Sequence, residues 1–68
     1  SSNKKRNSLL EKLTEREFEV SLLVSEGKSN QEIASKLNLS ERTVKNHLSH
    51  IFEKLNINDR LSLALLLK

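Results

Sequence analysis

The chain has 68 residues, no Cys, no Pro, one Gly and two Phe, with twelve Lys and Arg against nine Asp and Glu for a net charge of +3. That length bounds it to one small domain, and without Cys or more aromatics its core must be aliphatic and free of disulfide staples. No apolar run approaches the about 20 residues a membrane span requires, no apolar stretch follows the basic N-terminal cluster as in a signal peptide, and zero Cys agrees with a reducing cytoplasm.

Lys4, Lys5 and Arg6 carry the whole charge excess. The remainder is close to neutral, so any argument for nucleic acid must rest on where charges sit. Residues 1–12 read as a linker or basic arm, polar and aperiodic over Ser1–Ser8, of a kind that can touch phosphates. Residues 13–68 read as the folded domain.

The first helix is expected at about 15–26. Thr14 and Glu17 form a capping box, Leu13 is placed to act as a hydrophobic staple, and Gly27 supplies the left-handed end. Val20, Leu23 and Val24 share a core face, while Phe18 and Leu22 lie elsewhere and await Leu9, Leu10 or a neighbouring domain. The second helix, about 31–37, is assigned Asn30 as its cap and Ile33, Ala34 and Leu37 as its buried stripe. Glu32 reads as a first-turn acidic residue paired to Lys36 at i, i+4. Asn38 tolerates the left-handed geometry of a tight turn, and Leu39 plugs the core below it.

Ser40 caps a third helix, about 41–55. Val44, Leu48, Ile51, Phe52 and Leu55 make one apolar seam; Arg42, Asn46, Ser49 and Glu53 project opposite, with Lys45 at the edge. Asn56, Ile57 and Asn58 form a turn, and Asp59 caps a last helix from Arg60 to about Leu67. Leu63, Leu66 and Leu67 fall on one side of it; Leu61, Ala64 and Leu65 fall on another. A monomer's surface helix needs a single apolar stripe, so the second face suggests a partner, unless Leu9, Leu10 or residues past Lys68 cover it.

Catalysis finds no support: the Ser residues lack a nearby base, and there is no Gly-rich phosphate loop. His47 and His50 stand three apart on a helix but have no third ligand in reach, so neither a metal nor a cofactor is expected. The third helix is different. Arg42 and Lys45 can read guanine O6 and N7, Asn46 can read adenine N6 and N7, and Ser49 extends the same face. Asn30, Ser40 and Thr43, near helix N-termini, can donate to phosphates.

Taken together, Leu13-Thr14-Glu15-Arg16-Glu17, Glu19-Val20, Gly27, Ser29-Asn30-Gln31-Glu32-Ile33-Ala34, Leu37, Ser40 through His47, Ile51, Lys54-Leu55 and Arg60 resemble the LuxR/FixJ family of helix-turn-helix domains, of the NarL response-regulator kind. The resemblance covers Leu13 to about Leu67. It implies an all-α domain of four helices, the second and third being scaffold and recognition helices and the fourth pairing two copies on DNA. It further implies that Lys45, Asn46 and Ser49 face bases. Asn30, Thr43, Lys54 and Arg60 would lie near the DNA backbone or support residues that do, with His47 in a supporting or phosphate-contact role.

Three positions depart from the family pattern. Ser49 stands where some relatives carry Lys, Ser21 replaces a common Leu, and Leu63 replaces a common Ala, which bears on how the fourth helix seats. The implied function is sequence-specific binding of double-stranded DNA by the cytoplasmic output domain of a bacterial transcription regulator, a two-component response regulator. Its partners would be an inverted-repeat operator, a second copy meeting it through Leu61, Ala64 and Leu65, and an N-terminal receiver or sensor domain. The alternatives are a stand-alone or quorum-sensing regulator of the same family, or a helical protein-interaction module.

Overall fold

The computed structural model describes residues 10–67. Four helices run through them: α1 (Glu15–Ser25), α2 (Asn30–Leu37), α3 (Glu41–Leu55) and α4 (Arg60–Leu66). No strand occurs among the described residues, so the expected all-α architecture holds. The expected linker and basic arm lies outside the described residues as far as residue 9, as do Leu9 and Lys68.

Each helix begins on a side chain that satisfies an otherwise orphaned amide. Thr14 accepts the Glu17 amide at 3.2 Å, and Glu17 returns to the Thr14 amide at 2.9 Å, completing the expected box. Ser40 accepts the Thr43 amide at 3.1 Å and Asp59 the Ser62 amide at 2.7 Å, also as expected. At α2 the cap falls one residue earlier than the sequence reading placed it. Ser29, not Asn30, accepts the Glu32 amide at 3.1 Å, and Glu32 accepts the Ser29 amide at 2.9 Å. The Ser-x-x-Glu spacing engages two amides reciprocally, and a cap at Asn30 would leave that second box unmade. Glu32 is thereby turned back to Ser29 rather than forward to Lys36, and Asn30 becomes the first residue of the helix.

Three left-handed residues end the helices. Gly27 has φ +85°, and beside it Lys28 donates its amide to the Leu23 carbonyl at 3.1 Å while Gly27 donates to Val24 at 3.0 Å. This pair of bonds is the Schellman arrangement, which needs a residue at ease at positive φ. Asn38 (φ 62°) and Asn56 (φ 56°) do the same work for α2 and α3. The next residues, Leu39 and Ile57, donate to Ala34 at 2.8 Å and Phe52 at 2.9 Å, and their side chains pack onto the core.

The core is aliphatic. Val20, Leu23 and Val24 of α1, Ile33 and Ala34 of α2, Val44, Leu48, Ile51 and Leu55 of α3, and Leu63 of α4 are buried together. Each large side chain among them contributes on the order of 1.5–3 kcal/mol through removal from water. α1 packs on all three other helices, and α3 packs on α2 as well. Ser21 is fully buried, its hydroxyl donating to the Glu17 carbonyl at 2.9 Å. Leu10, Leu13, Thr14 and Phe18 line a shallow pocket at the start of α1. Phe18 and Leu22 nevertheless stay exposed.

Candidate nucleic-acid interface

Packing fixes which side of α3 is available. With Val44, Leu48, Ile51 and Leu55 pressed into the core, Arg42, Lys45, Asn46, Ser49, His50 and Glu53 are left exposed. Three residues, Asn38, Leu39 and Ser40, connect α2 to α3. The left-handed Asn38 and the capping Ser40 hold that connection rigid, so α3 projects at a set angle from α2. Among the described residues, Arg42, Lys45, Asn46 and Ser49 have no hydrogen-bond or ion-pair partner within the protein. About two turns of helix therefore offer a guanidinium, an ammonium, an amide and a hydroxyl outward.

The surrounding residues are held differently. Ser40 and Thr43 sit at the N-terminus of α3, their hydroxyls 2.9 Å apart, with Ser40 already accepting the Thr43 amide. His47 is half-buried on the flank of α3. Lys54, in the last turn of α3, reaches back to α1 and places its ammonium 2.6 Å from Glu17 Oε1. That oxygen is the same one that accepts the Thr14 amide. Arg60, the first residue of α4, donates from Nη1 to Asn30 Oδ1 at 2.7 Å and from Nη2 to the Lys28 carbonyl.

Charge states follow from these contacts. Burial pushes the Glu17 carboxyl upward, but the Lys54 ammonium and the Thr14 amide outweigh it and hold the group below its ordinary value of 4.5. Glu32 and Asp59 are held below the usual carboxylate range by the amides of Ser29 and Ser62 that they cap. All three acids are therefore ionised at neutral pH, and each charge lies in the first turn of a helix or just before it, where the helix dipole favours it.

The family resemblance placed Asn30, Thr43, Lys54 and Arg60 near the DNA backbone or in support of residues there, without saying how they act. Sequence reasoning missed that Glu17 serves α3 as well as its own helix, because Glu17 and Lys54 are 37 residues apart. The spacing of Ser29 and Glu32 was the signal that should have located the α2 cap.

α4 divides as its pattern suggested. Leu63 is fully buried and Leu66 and Leu67 pack on the core, whereas Leu61 is 69% and Leu65 55% exposed, with Ala64 half-buried beside them. Among the described residues, no helix is long and apolar enough to cross a membrane.

Comparison with known proteins adds an independent finding. Residues 11–67 match the model of the bacterial regulatory proteins, luxR family. Over 57 residues the chain is 54% identical to the response regulator protein VraR of Staphylococcus aureus, an alignment covering 84% of this chain and 27% of that protein. VraR of Staphylococcus epidermidis matches with the same identity and coverage. The chain thus spans about a quarter of the length of these relatives.

Proposed function

This chain belongs to the luxR family of bacterial regulatory proteins as a helix-turn-helix DNA-binding domain, and from that premise we propose that it reads a specific operator through the outer face of α3, as the output domain of a response regulator. The observation that carries this reading is the open donor face: Arg42, Lys45, Asn46 and Ser49 stand exposed and without partners among the described residues, on a helix whose other side is locked into the core. In a major groove these groups meet base edges, Arg42 and Lys45 on guanine and Asn46 on adenine. Asn30, Ser40, Thr43, His47, Lys54 and Arg60 surround them as the residues that meet the phosphates or hold those that do.

Two copies bind an inverted repeat in this reading, facing each other through Leu61, Ala64 and Leu65, with half-site centres about 34 Å apart, one helical turn. The open apolar strip on α4 supports it. Its limited area fits chains that are monomeric in dilute solution and pair on DNA. An N-terminal receiver domain, phosphorylated on Asp in the response-regulator form, controls that pairing in the cytoplasm. The similarity to VraR supports this arrangement.

Selection from a random duplex library, with binding measured at two salt concentrations, tests the proposal. Enrichment of two inverted half-sites about one turn apart is the expected result. A single enriched half-site removes the pairing. Weak salt-sensitive binding without enrichment removes sequence reading altogether and favours a protein-interaction module built on α4.

A further inference from the structure

We propose that Arg60 is a positioning residue that fixes the side-chain amide of Asn30 for a DNA phosphate, and that it makes no phosphate contact of its own; this rests on the DNA reading above. An Asn amide can present either its oxygen or its nitrogen, and only neighbouring groups decide which. Arg has five N–H donors and no acceptor, so the group facing it must be the oxygen. Arg60 Nη1 donates to Asn30 Oδ1 at 2.7 Å, which leaves the two donors of Asn30 Nδ2 directed away from Arg60.

The second arm of the guanidinium holds the Lys28 carbonyl. One side chain thereby grips the residues on either side of Ser29, the cap of α2. The planar fork of Arg suits two separate acceptors; a Lys ammonium in its place keeps the charge but not that geometry. Arg60 is half-buried and also opens α4, so the helix carrying Leu61 and Leu65 is tied through it to the end of α2 that faces the DNA backbone.

Arg60→Lys separates the two roles. With the duplex enriched by selection as probe, a positioning role predicts that Arg60→Lys loses about tenfold in affinity, as a lost hydrogen bond to a charged group would. Asn30→Ala should lose a similar factor, and the double variant should lose no more than Asn30→Ala alone. The slope of log affinity against log salt should stay that of the unsubstituted chain in Arg60→Lys. A direct contact predicts that Arg60→Lys retains affinity, that Arg60→Ala lowers the slope by about 0.9, and that its loss adds to that of Asn30→Ala; this result overturns the proposal.

Should Arg60→Lys unfold, Asn30→Asp decides. It keeps an acceptor for Arg60 but removes the donors, so binding should fall while the melting temperature holds or rises. Unchanged binding by Asn30→Asp overturns the proposal. Failure of the DNA reading is separately visible, because Lys45→Ala would then leave binding to every duplex unaltered.

Discussion

Lys54 closes α3 against α1 through a single oxygen of Glu17, 2.6 Å away, which also caps α1 by accepting the Thr14 amide. One carboxylate therefore secures the start of α1 and the end of α3 together. The direction in which α3 points depends on its packing against α1, so this pair bears on how α3 is presented.

Glu17→Gln separates the two duties. A Gln at the third helical position still completes a capping box, but it loses the ion pair. Because the Lys54 side chain is 35% exposed, its ammonium can turn to water once unpaired. The expected cost is accordingly about 1–2 kcal/mol, below that of a fully buried pair. Glu17→Ala, which breaks the box as well, should cost more. Thermal or urea unfolding followed by circular dichroism measures both.

The same pair gives a pH dependence of known sign. The Glu17 pKa is lower folded than its ordinary value of 4.5, so the unfolded chain takes up its proton first as pH falls. Its contribution is complete above that value and is lost as pH drops through the lower folded one. The stability gap between the unsubstituted chain and Glu17→Gln should be constant near neutrality and shrink below about pH 4.5. A gap that widened on acidification would rule out the ion pair as its source.

Ser29→Ala should destabilise the fold by about 1 kcal/mol, the usual cost of removing an N-cap. Asn30→Ala should leave the cap intact, with any loss arising from Arg60 losing its acceptor. Equal effects on helix content from both substitutions would argue against the assignment of Ser29.

What the sequence revealed and what it concealed divide along the range of the interaction. Thr14 with Glu17, Ser40, Gly27, Asn38 and Asp59 act within a single turn or loop, and their chemistry named the helix ends to within about a residue. Periodicity likewise separated Val44, Leu48, Ile51 and Leu55 from the outward Arg42, Asn46 and Ser49. Ser29 was legible but lost to its neighbour, because Asn caps as readily as Ser. Glu17 with Lys54 and Arg60 with Asn30 were not legible, since both contacts arise only when distant helices pack. Ser21 was seen as a departure from the family's Leu. Only the fold shows it buried, its hydroxyl satisfied by the Glu17 carbonyl.

Leu65→Glu should test the pairing face. Leu65 is 55% exposed, so the substitution buries no charge in the monomer and should leave its stability within about 0.5 kcal/mol. Affinity for a duplex with two inverted half-sites should fall far more than affinity for one half-site. Equal losses on both, with the circular dichroism spectrum intact, would remove Leu61, Ala64 and Leu65 from any role between copies.

The most direct measurement is a competition titration of the enriched duplex against base-substituted versions of itself, using the unsubstituted chain, Lys45→Ala and Asn46→Ala. Reading by α3 predicts that each variant loses about 1–3 kcal/mol on the preferred duplex and no longer discriminates at its own base position. Full discrimination by both folded variants would contradict recognition through this face.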